Sequence, residues 1–436
     1  MTDFQKQLIA QADATANTQY SALAESGKAA FLSQQIPTRK TENWKYTSLF
    51  GLTSQENAFA AAGEKHSAAG LDGIATIPAL DAQRLVFING HYSAELSSNE
   101  DIAEVVQFSK ANEEQTAFIS ENLGTVLKQE EHIFGALNNA QLADGILVHV
   151  KKNQQLTKAV QITHITTAGE AAFVVPTRIL IKLDTGAQAT VVEHFTSNDE
   201  TQNSFVNAIT EIKIDANAKL NHYRLQLMQQ DAIHIGGVHV DLDRDATYES
   251  FQIALGSKLT RNDIVVNHNV GGSHCELKGV YLPQGKQLVD FHTNMEHAAA
   301  HCTTDEVFRG IMADKSKAVF NGRIHIHPDA QKTLAELSNK NLLISNEAEI
   351  NTKPELEIYA DDVRCAHGAT IAQLDEQARY YLQSRGISAA EADVMLSFGF
   401  INELLENLPH DAIRNLIRPI LAKRFGRDES LTQHIG

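Results

Sequence analysis

Near its C-terminal end the chain carries Cys365-Ala366-His367 inside "DDVRCAHGAT", residues 361 to 370. A thiol and an imidazole two positions apart project from the same face if the segment is a strand, so both could reach one metal ion. Soft sulfur with imidazole suits iron, zinc or an iron–sulfur cluster. Such a centre takes about four protein donors, so Cys365 and His367 would form half of a site whose remaining ligands come from elsewhere. The plainer reading is a pair of polarizable core side chains.

The same region concentrates other metal-ligand residue types. Of the 19 histidines in the chain, His268, His274, His292, His297, His301, His325, His327 and His367 share a stretch of about 100 residues with all three cysteines. Each taken singly reads as a half-buried histidine hydrogen-bonded to backbone. Cys275 and Cys302 read as small core residues. "EHAAAH" sets His297 and His301 at i, i+4 but lacks the acid of H-E-x-x-H and does not look helical, so it is a poor zinc-protease signal. A mononuclear metalloenzyme built on His292, His297 and His301 stays open at this point. No G-x-x-x-x-G-K-[ST] is present for ATP, and no G-x-G-x-x-G follows a strand.

The elements that must position these residues divide the 436-residue chain into three parts. Residues 1–143 show helical spacing around Phe4, Leu8, Ala12, Leu23 and Phe31. The aromatic stretch "IPTRKTENWKYTSLF" follows, with the only tryptophan, Trp44, and is expected to dock against another surface. "RLVFINGHYSAEL" reads as a hairpin turning at Asn89-Gly90, and residues 116–140 as a helix with Leu123, Val126, Leu127, Ile133 and Phe134 as its stripe.

Residues 144–370 change to short alternating runs such as "GILVHV", "TRILIKL" and "NHYRLQL" with no room for helices between them. "DTGAQAT", "DANAKLN", "DRDATYE", "GGSHCEL" and "AAAHCTT" recur at intervals of about 30 residues, the trace of a coiled sheet in which each rung buries its face only on the next. This predicts a mainly β fold with a parallel β-helix core; a sandwich of antiparallel hairpins is the competing arrangement.

Residues 371–436 return to helical period. Ser388 and Glu391 form a capping box. Val394, Phe398, Ile401, Leu405 and Leu408 make one stripe, and Leu396, Phe400 and Leu404 make a second. An arc this wide suits burial on two sides, one of them a partner protein; a helix wrapped only by its own chain is the alternative. Arg414, Arg418, Lys423 and Arg424 beyond it read as a solvated face.

Composition narrows the function classes. Lys and Arg number 37 against 54 acidic residues, a formal charge of −17, which argues against a nucleic-acid surface. No window offers about 18 consecutive apolar residues for a bilayer span, and the N-terminus lacks the order of a signal peptide. Three scattered cysteines suit a reducing cytoplasm. A β-helix polysaccharide-active enzyme would be expected to carry an export signal or sugar-binding aromatics; aromatics are 6% here, with one tryptophan.

From F-N-G at residues 320–322, through P-x-L-E-I at 354–358 and C-x-H-G-A-T at 365–370, to Y-L-x-S-R-G-I at 381–387, the sequence resembles the shared core of the SUF-system scaffold proteins, the SufB/SufD family. "VDFHTNMEHAAAHCTTDEVFRGIMADKS" resembles the preceding rung, with Arg309 where lysine is commoner, and the Trp44 stretch looks like the SufD side of the family. The resemblance implies a right-handed parallel β-helix between N-terminal and C-terminal α-helical regions, in a non-catalytic subunit that assembles iron–sulfur clusters. It implies pairing with SufB through the β-helix and docking of the SufC ATPase on the C-terminal helices, where Val394, Leu396, Phe398, Phe400 and Leu404 are the candidate contacts. It places His367 opposite a SufB cysteine, with Cys365 as the neighbouring thiol. No cofactor would stay tightly bound to the isolated chain, the iron–sulfur cluster being transient and shared with SufB. An exposed β-helix edge would also permit a homodimer of the isolated chain.

Overall fold

The computed structural model describes residues 2–426 apart from 16–17, 55–65, 99–103, 169–171, 199–202 and 229–230. At the N-terminus lie α1 (Asp3–Thr15), α2 (Ser21–Ser33) and the short α3 (Phe50–Thr53) and α4 (Asp72–Ala75). Strands β1 (Ala82–Ile88) and β2 (His91–Tyr92) form the expected hairpin, with Asn89 and Gly90 both at positive φ as its tight turn requires. After β3 (Val105–Gln107) come α5 (Glu113–Asn122) and α6 (Ile133–Ala140).

The single helix expected over residues 116–140 is thus two helices. The backbone turns at Gly124, which is left-handed (φ 78°), and the buried Glu211 carboxylate captures the amides of Gly124, Val126 and Leu127 at 2.7–2.9 Å. Glu211 also pairs with buried Arg178. These charge-assisted bonds replace the helical bonds those amides would otherwise make.

The remaining strands coil: β4 (Ile146–Val150), β5 (Ala159–Thr166), β6 (Phe173–Leu183), β7 (Gln188–Ser197), β8 (Ser204–Ile214), β9 (Lys219–Gln226), β10 (Ile233–Leu242) and β11 (Thr247–Ala254). They continue as β12 (Leu259–His268), β13 (His274–Tyr281), β14 (Leu288–His297), β15 (Thr303–Met312), β16 (Lys317–Ile326), β17 (Leu334–Leu343), β18 (Glu349–Ile358) and β19 (Arg364–Gln373). Even-numbered strands from β4 to β18 form one parallel sheet, and odd-numbered strands from β5 to β19 form the other, which β1 extends by pairing with β5. The result is a parallel β-solenoid of about seven turns, not a sandwich.

The recurring sequence phase marks one corner of each turn. Gly186, Asn217, Asp245, Gly272 and His301 occupy left-handed backbone there, as do Asn153 and Lys332. Each donates its amide to the next corner's carbonyl at 2.6–3.3 Å, so the corners form a hydrogen-bonded ladder of their own. Glycine, asparagine and aspartate tolerate this conformation best.

Inside, aliphatic and aromatic side chains stack rung on rung, from Val148 and Ile181 through Phe291, Phe308 and Phe320 to Leu337. Trp44 docks as expected, over the Arg261 guanidinium at 3.9 Å and beside Phe134. The N-terminal helices cover one sheet and α8 (Ala389–Glu406) with α9 (Asp411–Gly426) covers the other; the short α7 (Glu376–Ser384) precedes them. Strands beneath these covers, such as β8 and β10, are buried almost throughout, whereas β14 and β16 alternate. Arg424 departs from the solvated face expected for it: it donates to the carbonyls of Leu255 and Leu282, just past the ends of β11 and β13, and to Gln287.

Two buried glutamates show how the interior treats charge. Burial alone would raise the pKa of Glu193, but Arg224, His222 and Thr210 overcome it and hold the group at about 2. Glu306 has only Thr293 at 2.6 Å, and burial raises it to about 8. The folded state therefore keeps this proton up to about pH 8, while an unfolded chain releases it near the ordinary value of 4.5. Stability falls as pH rises through that interval, by about 1.4 kcal/mol per unit at most for this group. Glu306→Gln should remove the slope: thermal melts of the two proteins are expected to converge near pH 5 and to separate at pH 8, with the variant melting several degrees higher.

Candidate functional site

Strands β18 and β19 end the solenoid, each with a rung below it and none above among the described residues. On β19, Cys365 pairs in register with Ala335 and His367 with Leu337. Ala335 and Leu337 belong to the interior core, so Cys365 and His367 continue inward-facing columns onto the rung that nothing covers. Cys365 packs partly against that core, and burial raises its thiol pKa despite a backbone hydrogen bond from Ala335. His367 is exposed. The i, i+2 spacing therefore does bring thiol and imidazole to one side of a strand, at an open end.

The other histidines scatter. His268 and His297 are buried and stacked at 4.2 Å, hydrogen-bonded through Thr304, and burial holds both well below the usual imidazole pKa, His297 at about 4. His292 pairs with Asp290 at 3.1 Å, and His301 sits in a corner. His292, His297 and His301 do not converge, which removes the mononuclear site suggested for them. Cys275 and Cys302 are buried, as expected. Among the described residues one group brings three ligand atoms together: Glu296, His325 and His327. The sequence reading missed Glu296, although His325 and His327 have the same i, i+2 spacing on a strand as Cys365 and His367.

The family described as SUF system FeS cluster assembly, SufBD core domain, matches residues 144–400, and the SufBD protein N-terminal region matches residues 3–162. The chain belongs to the SufBD family. It is 33% identical to the iron-sulfur cluster assembly protein SufD of Escherichia coli over 392 residues, 89% of each chain. It is 30% identical to the SufBD family protein slr0076 of Synechocystis over 406 residues, 90% of this chain and 88% of that one. Protein ABCI7, chloroplastic, of Arabidopsis thaliana is 27% identical over 405 residues, 91% of this chain and 84% of that one.

The C-terminal helices of this SufBD chain place the remaining candidates. Val394 and Leu404 are each 4% exposed, and Leu404 joins Ile401, Leu405 and the outer face of the β-sheet in one apolar cluster. Their own chain covers them, so neither lines an accessible surface. Leu396, Phe398 and Phe400 are half-buried, with the Phe400 ring 5.9 Å from the Arg309 guanidinium. The exposed aromatics of the C-terminal helices, among the described residues, are on α7 instead, Tyr380 at 74% and Tyr381 at 55%. No helix among the described residues is long and apolar enough to cross a membrane.

The thiols yield a direct check. Iodoacetamide is expected to label Cys365 alone in the native chain, slowly at neutral pH and faster as pH rises, with Cys275 and Cys302 labelled only on unfolding. Peptide mass spectrometry reads all three.

Proposed function

We propose that this chain is a non-catalytic, SufD-type scaffold subunit of a SufB–SufC–SufD complex in the cytoplasm, contributing to iron acquisition and to a nascent cluster at its interface with SufB. The observation that carries this reading is the exposed imidazole of His367 on an uncovered terminal rung. Unpaired strand edges accept another chain's strand. SufB stacked on β18 and β19 would cover the open columns and bring its own donors to His367.

Neither subunit would then hold a full ligand set alone. A neutral imidazole in place of a thiolate lowers the negative charge on the cluster, and a mixed donor set suits cargo that must be released. Cys365 stands beside it as a protonated thiol whose deprotonation would need the field of bound iron. The three unpaired cysteines suit a reducing compartment.

His367→Ala, in a complex that still contains all three subunits, is expected to lower cluster yield in cells by about tenfold or more; an unchanged yield overturns the role of His367. For SufC, our reading takes Tyr380 and Tyr381 with the accessible parts of Leu396, Phe398 and Phe400 as the docking surface, because Val394 and Leu404 are buried. Tyr380→Asp should abolish co-purification of SufC while leaving the melting temperature unchanged. Retained SufC would take that face out of the interface.

A further inference from the structure

We propose that Glu296, His325 and His327 form a second metal site, on the outer face of the solenoid, for a divalent first-row transition ion of borderline softness. Glu296 on β14 and His325 on β16 are direct partners in the parallel register, and Met295 and Ile324 beside them point into the core. Period-two alternation therefore turns Glu296 and His325 outward. His327 lies two positions beyond His325, just past the end of β16.

The two imidazoles converge on one oxygen. His325 Nδ1 is 2.7 Å and His327 Nε2 is 2.9 Å from Glu296 Oε2, with the ring centroids 4.2 Å apart. An ion about 2.1 Å from each donor needs donor separations of about 3.0–3.4 Å, so the three groups need spread by only a few tenths of an ångström. The other carboxylate oxygen is already held. Glu296 Oε1 accepts from Arg323 Nη1 at 2.6 Å and from Asn294 Nδ2 at 3.0 Å. Arg323 is in turn clamped by both oxygens of Glu357 at 2.7 and 3.0 Å. Outer groups that fix a ligating carboxylate in this way are a regular part of metal sites. Glu357 also offsets the guanidinium charge that would otherwise oppose a cation.

The donor set selects the ion. Two imidazoles and one carboxylate disfavour magnesium and calcium, which take oxygen ligands, and copper(I), which takes sulfur. Ferrous, cobaltous and zinc ions fit. Three protein donors leave positions open, and they face a cleft of about 480 Å³ that Glu131, His132 and Asn267 also line. The site would thus hold an exchangeable ion and not a structural one. It uses no residue of the β19 end, so it stands or falls separately from the role given to His367.

Anaerobic equilibrium dialysis of the chelator-treated full-length chain, with Fe²⁺ or Co²⁺ as probe, tests the proposal. About one equivalent should bind in the presence of excess Mg²⁺, and the cobalt spectrum should show no thiolate charge-transfer band. His327→Ala and Glu296→Gln, each with an unchanged circular dichroism spectrum, should weaken binding at least about tenfold. Affinity unchanged in both variants, no binding by the parent chain, or a thiolate band placing the ion at a cysteine would each overturn it.

Discussion

The structure depends on strict parallel register between successive turns. Each backbone amide and carbonyl of a rung is satisfied by the rung above or below, because a buried peptide group without a partner costs free energy on the scale of a lost hydrogen bond. Register converts sequence into columns: position after position, Ser250, Leu277, Glu306, Leu337 and His367 fall in one line. The same constraint fails at the ends. Among the described residues nothing covers the edge groups or the inward column of the last rung, and no choice of side chain on β18 or β19 can pair those edge groups. An open end of this kind is where a capping chain would dock, and under the proposed function assembly and completion of the β19 site are one event.

Charge inside the columns follows the availability of partners. Glu193 has Arg224 and His222 within the same buried layer and remains ionised. Glu306 lies among Leu277, Leu337 and Phe308 columns, has no cation, and stays protonated. His268 and His297 stay neutral for the same reason. The interior thus tolerates ionisable residues by suppressing charge where it cannot be paired. His367, on the uncovered rung, is exposed, which is what leaves its imidazole accessible as a donor.

Local patterns were legible in the sequence because the physics behind them is local. Corner residues such as Gly186 and Asn217 announce left-handed backbone, Asn89-Gly90 announces a hairpin, and the Ser388–Glu391 capping box is formed. What the sequence did not reveal depends on partners far away in the chain. The break between α5 and α6 needs Glu211, 84 to 87 residues from the amides it captures. Burial of Val394 and Leu404 depends on packing against the solenoid or the neighbouring helices, which the helical stripe alone cannot assign. Arg424 meets carbonyls 142 and 169 residues earlier. The two-stripe helix showed how much surface must be covered but not which chain covers it.

The two donor pairs make the same point in chemical terms. Cys365 and His367, like His325 and His327, are spaced by two on a strand or its immediate extension, and spacing alone treats them alike. The columns separate them. Cys365 and His367 continue the interior, so their donors are open only because the coil stops. His325 faces outward on a strand paired on both sides, where the neighbouring rung supplies Glu296 from 29 residues earlier and Arg323 holds that carboxylate in place. Under the two proposals made for them, one pair is completed by this chain's own register and the other by a second chain. A repeating fold can in this way carry a site of its own and half of a shared one with the same local geometry.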